Sequence, residues 1–226
     1  MFRWWLPLLA VALTGAALPP VQALPEDVLR DRIIEKAAAI NPSELAFERV
    51  TMVLRKGGGS KTEKRLVERW DGERWSLLSV NGHAPSRAEK AAAASDNSVP
   101  GYHQLARIIA ASTERQVTPD GRTLLVVPML PEKSVVADGK DISRHLRAEA
   151  LLGLRDGQPW VERLTVKERE PFKLNLLIKV TSFEQVNDYR LGTDGQPRLV
   201  AQVNGSVGTM FGITGGETSE VIYAYR

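Results

Sequence analysis

Residues 145–191 read HLRAEALLGLRDGQPWVERLTVKEREPFKLNLLIKVTSFEQVNDYRL, and the spacing of the apolar residues in this stretch decides the fold class. Leu146, Ala148, Ala150, Leu152 and Leu154 fall on one face and Arg147, Glu149 and Arg155 on the other, the period of two that a half-buried strand requires. Asp156-Gly157 then turns the chain, because Gly tolerates positive φ and Asp can hydrogen-bond its own backbone. The return run places Trp160, Glu162, Leu164 and Val166 on one side and Val161, Arg163, Thr165, Lys167 and Arg169 on the other. A third run reaches Leu191, so three consecutive antiparallel strands are expected.

Upstream, Leu45–Arg55 and Lys64–Asp71 form a hairpin around KGGGSKTEK. Leu45 and Phe47 lie on one face of its first strand and Val50, Met52 and Leu54 on the other, which implies a bulge or cover on both faces. The glycine run is no phosphate loop: its Lys follows Ser, and no helical pattern comes after it. It reads as a hairpin tip whose Lys56, Lys61, Lys64 and Arg65 could meet an anionic lipid surface. Asp71-Gly72 leads into ERWSLLSV, with Trp70 and Trp75 placed to pair across the turn. Thr113–Val117 and Arg122–Leu130 make a further hairpin; the TLLVVPML strand is apolar on both faces and so needs cover, and Pro128 puts it at an edge or bulge. Downstream come Pro197–Val207, the glycine-rich GSVGTMFGITGGE and a last strand, EVIYAYR. Five Asp-Gly and two Asn-Gly pairs punctuate these runs, the signature of an all-β meander.

Helices are few. Pro25–Ile40 carries Val28, Leu29, Arg32, Ile33, Ala37 and Ile40 at helical spacing and ends at Asn41-Pro42. Ser86 and Glu89 form a capping box ahead of an Ala-rich helix to about Ser95, and Tyr102–Ser112 repeats a helical stripe.

The chain opens MFRWWLPLLAVALTGAALPPVQA: one base, an apolar run too short to span a bilayer, and a small-x-small segment. Residues 1–23 are read as a signal peptide cleaved after Ala23, which places residues 24–226, a single domain, in the periplasm. With no Cys in the chain, a disulfide framework, thiol catalysis and a lipidated cysteine are excluded. Basic residues number 30 against 27 acids; Arg3 is the one charge in the leader, so the remainder carries 29 against 27, a net +2. That balance argues against nucleic acid as the main partner. His83, His103 and His145 are scattered without metal-ligand spacing, no nucleophile elbow exists, and Asp138 and Asp141 sit in DGKD, whose simplest role is a turn. No metal, cofactor or catalytic residue is expected, and an envelope hydrolase would need a clustered polar site that the sequence does not display. An outer-membrane barrel is disfavoured by the helices and glycine-rich loops.

This order of elements, with segments such as ERVTMVLRKG, RWDGERWSLLSVNG and PFKLNLLIKVTSFEQV, resembles the periplasmic lipoprotein-carrier family of LolA/LolB-like half-barrels. The resemblance implies a mainly β (α+β) fold: a curved antiparallel half-barrel meander whose concave side is covered by the amino-terminal helix and short inserted helices. It also implies an apolar cavity for lipid or the acyl chains of lipoproteins, and a soluble, non-catalytic carrier role in outer-membrane lipoprotein sorting. Candidates for lining that cavity are Phe47, Trp70, Trp75, Leu164, Leu174, Leu176 and Ile178, although a filled core would use the same residues. The alternative is a monomeric half-barrel that binds an envelope protein as a sensor or adaptor. Neither role needs a membrane-spanning segment.

Overall fold

The computed structural model describes residues 25–93, 99–137 and 139–226; the expected leader, residues 1–23, lies outside them. The first helix, α1 (Glu26–Ala38), buries Leu29, Ile33 and Ala37. Asn41 then accepts from Ser43 N at 3.1 Å and caps a single turn over Pro42–Glu44. Strands β1 (Phe47–Gly57), β2 (Ser60–Trp70) and β3 (Trp75–Val80) follow as a meander. Helix α2 (Arg87–Ala93) starts at the expected capping box: Glu89 N donates to Ser86 Oγ at 3.3 Å and Ser86 N to Glu89 Oε2 at 2.8 Å. It buries none of its side chains, so the cover is supplied by α1 and by α3 (Leu105–Ala110), which continues a tight turn over Tyr102–Gln104.

The remaining chain is strand: β4 (Glu114–Val117), β5 (Thr123–Val127), the small β6 (Val136–Ala137) and β7 (Lys140–Asp141), β8 (Leu146–Arg155), β9 (Gln158–Glu168), β10 (Phe172–Lys173), β11 (Ile178–Leu191), β12 (Pro197–Met210) and β13 (Ile213–Tyr225). One open antiparallel sheet runs β3-β2-β1-β13-β12-β11-β9-β8-β5-β4, with β10 added beside β11 and β6–β7 apart as a two-stranded ribbon. The meander is therefore rejoined end to start, β13 pairing with β1 over all of Phe47–Gly57. Trp70 and Trp75 do pair across their turn, with ring centroids 5.6 Å apart.

Three local readings are corrected. In β9 the inward residues are Pro159 and Val161 and then Leu164 and Val166, because the register to β8 shifts between Leu151 and Leu152 and Glu162 becomes the extra residue. Periodicity alone cannot see such a bulge, since it reverses the faces midway. In β1 neither a bulge nor cover on both faces is needed: its register to both neighbours is unbroken, and on the second face Met52 is exposed while Val50 and Leu54 are only partly buried. The glycine-rich segment is not a loop but the far halves of β12 and β13, joined through Phe211-Gly212.

The core lies between the inner face of the sheet and α1, α3 and the Tyr102 turn. Phe47, Leu125, Val127, Leu146, Ala150, Val161 and Leu164 are almost wholly buried there. Burial drives the Tyr102 hydroxyl well above the usual phenol range. It accepts the Val161 N–H at 2.8 Å, in a part of β9 that lies outside its pairing with β11, which covers Arg163–Lys167. Tyr102→Phe leaves that amide unpaired, and we expect a loss of about 1–3 kcal/mol in denaturant unfolding; an unchanged midpoint would mean that water or another acceptor replaces the hydroxyl.

Candidate ligand-binding cleft

Strands β11, β12 and β13 are 14, 14 and 13 residues long, roughly 45 Å, whereas α1 has 13 residues, about 20 Å. The helices cannot cover the whole inner face. They rest on the half that carries Phe47, Tyr189, Leu199 and Tyr223, and the other half floors a cleft of about 1160 Å³, somewhat above the about 300–1,000 Å³ usual for small-molecule sites.

Strand register orders this floor in rungs. Nearest the core, Val53, Ser219, Asn204 and Gln185 stand side by side; next come Arg55, Glu217, Ser206 and Phe183; then Gly57, Gly215, Gly208 and Val180; and last Ile213, Met210 and Ile178. The first two rungs form a polar belt. Asn204 Nδ2 donates to Ser219 Oγ at 3.0 Å, Gln185 Nε2 donates to Asn187 Oδ1 at 3.1 Å, and Arg55 is ion-paired with Glu217. Asn204 Oδ1 is buried without a partner among the described residues. The third rung carries three glycines in register on adjacent strands, so over that width the floor is bare backbone.

The wall is apolar. Phe172 on β10 and Leu174 just after it line the cleft beside Val180 and Phe183 of the floor, together with Val135, Ala137 and Ile142 from around the β6–β7 ribbon. Phe172 is held by a parallel stack on His145, centroids 4.6 Å apart, and Lys140 Nζ ties the ribbon to Leu174 O at 3.1 Å. Asp141 is committed to the turn: Ser143 Oγ and N and Lys133 N all donate to its carboxylate, holding its pKa below the usual range. Asp138 lies outside the described residues. Among those described, no group of three His, Asp or Glu side chains could hold a metal, and no helix is long and apolar enough to cross a membrane.

The seven candidate residues part company. Leu174 and Ile178 line the cleft. Phe47, Trp70 and Leu164 are buried in the core on the helix-covered half. Trp75 is half-buried against that core, its ring 5.6 Å from Phe47 and under the Arg49 guanidinium at 4.2 Å. Leu176 stands 99% exposed on the loop before β11. Sequence reading missed Phe183 and Val180, although both sit in the alternating third run. It also missed the glycine rung, whose three members come together only through long-range pairing.

The chain matches no protein-family model and no curated protein. Among solved structures, a LolA superfamily protein from Nitrosomonas europaea is similar to it, at 12% identity over 87% of this chain and 91% of that one, with a TM-score of 0.37.

Proposed function

We propose that this protein is a non-catalytic periplasmic carrier that shelters acyl chains, of lipids or of lipoproteins, in the cleft. The observation that carries the reading is the glycine rung Gly57–Gly215–Gly208 between apolar walls. With no side chains on that rung, the strand backbones lie bare beside the apolar residues of β10 and β11. The polar belt at its inner end, where Asn204, Ser219, Gln185, Arg55 and Glu217 stand, would face the polar linkage or headgroup of such a chain.

The test is native mass spectrometry of protein purified from a Gram-negative periplasm without detergent. Acyl adducts that leave on gentle activation, and that return when lipid is added to stripped protein, are expected. A clean mass that takes up no added lipid overturns the carrier reading. The weight then moves to the adaptor role, which the surface-exposed apolar residues Met52, Val203, Val207 and Ile222 on the outer sheet face favour.

A further inference from the structure

The open end of the cleft is bounded by three loop tips: Gly58-Gly59 after β1, Leu176-Leu177 before β11, and Phe211-Gly212 between β12 and β13. They are neighbours. Phe211 N donates to Leu177 O at 3.4 Å, and Ile213 Cγ2 lies 4.0 Å from where a Gly58 Cβ would stand. Together they push a set of apolar side chains into solvent: Leu176 at 99% exposure and Phe211 at 70%, with Leu177, Met210 and Ile213 each more than half exposed. The loop bearing Leu176 is fixed rather than loose, since Asn175 Oδ1 accepts both Leu177 N and Ile178 N at 2.9 Å.

Phe211 stands out by its backbone. Its φ is 52°, a conformation in which Gly, Asn or Asp would be expected at the first position of such a turn. Three other two-residue hairpin turns obey that rule, with Gly58-Gly59, Asn81-Gly82 and Asp156-Gly157. An aromatic side chain at this tip, 70% exposed, therefore costs backbone energy and gains little from packing.

Around the tips the charge is basic. Lys173 and Lys179 sit directly opposite each other on β10 and β11, and Lys56 stands one residue before the end of β1. None of the three is in an ion pair among the described residues, whereas the nearby acids Glu63 and Glu217 are engaged by Lys61 and Arg55. Separate apolar fingers inside a lysine collar suit a bilayer with anionic headgroups, into whose interface the fingers dip while the lysines meet phosphates. A flat protein partner would bury such projections poorly.

We propose that this end of the molecule docks on an anionic lipid bilayer through Leu176, Leu177, Phe211 and Ile213, with Lys56, Lys173 and Lys179 on the headgroups. Docking does not rest on the carrier reading, but it would set the last rung of the cleft, Ile213, Met210 and Ile178, at the membrane surface. The test is co-sedimentation of residues 24–226, which contain every described element, with vesicles of equimolar phosphatidylglycerol and phosphatidylethanolamine, and with phosphatidylcholine vesicles. The anionic vesicles should carry the protein down. L176D/F211D should weaken this by about tenfold or more, with an unchanged circular dichroism spectrum because Asp tolerates the turn at 211. K173Q/K179Q should weaken it by about fivefold per lysine on anionic vesicles. Protein that stays in the supernatant with anionic vesicles, or an L176D/F211D variant that sediments like the parent, overturns the proposal. Vesicle binding without acyl uptake in native mass spectrometry would leave docking standing and remove the carrier; uptake without vesicle binding would do the reverse.

Discussion

Replacing Phe47 by alanine should lower the unfolding free energy by about 3–5 kcal/mol, read as a fall in the urea midpoint at constant m-value. Phe47 is fully buried and is the hub of an aromatic cluster, its ring lying 5.6 Å from Trp75, 5.5 Å from Tyr223 and 5.3 Å from Tyr225. Its neighbours are fixed from several elements at once, Trp70 Nε1 donating to Pro42 O at 3.2 Å and Arg49 covering Trp75 while bonding Glu68 at 2.7 Å. Such a site cannot collapse onto the missing ring, so the cavity cost comes on top of the lost transfer energy. Acyl binding by the fraction still folded should be unaltered, because Phe47 lies on the helix-covered half, away from the cleft. A loss below about 1 kcal/mol, or a selective loss of ligand, would mean that this region is not the filled core described.

The difference between Phe47 and Leu174 marks where sequence reading stops. Both are apolar residues at alternating positions, so period two alone puts both on an inward face, although β10 ends at Lys173 and Leu174 stands just beyond it. Which inner-face positions are covered by helices depends on how a helix of about 20 Å lies along strands more than twice as long, and the sequence contains no local signal for that. The meander, the Trp70–Trp75 pairing, the capping box at Ser86 and the stripe of α1 were all legible because each rests on neighbours a few residues apart. Glu162 was misplaced because a bulge is decided by the partner strand. The glycine segment at residues 205–216 was read as a loop because glycine weakens strands. Pairing of residues 205–210 with β11 and of residues 215–217 with β1 supplies what propensity lacks, and close approach explains the composition: a Cβ on Gly208 would come within 2.4 Å of Lys179 O. Leu176 stands in solvent for a simpler reason, since the Asx turn at Asn175 interrupts the alternation just before β11.

The glycine rung also allows ligand binding to be separated from folding. Gly208 cannot carry a side chain without displacing Lys179, but Gly57 can: a Cβ there would meet Gly215 Cα at 3.4 Å and Thr214 O at 3.8 Å, ordinary contact distances, and its φ is not in the left-handed region. Gly57→Leu should therefore keep the fold, and the conformational freedom that the unfolded chain loses with this glycine should offset part of any crowding. Its isobutyl group would stand over the bare backbone of Gly215 and Gly208 and cut the cleft across the middle, between the polar belt and the last apolar rung. Acyl adducts should then fall by at least about tenfold, the effect of excluding two methylenes or more from apolar surface at about 0.8 kcal/mol each, while thermal stability stays within about 1 kcal/mol of the parent. Unchanged adducts on a folded Gly57→Leu variant would show that the chains lie elsewhere on the sheet. Loss of adducts with Gly57→Leu but not with Phe47→Ala would place the ligand on the glycine rung, because the two residues share one strand, one face and one register and differ only in what covers them.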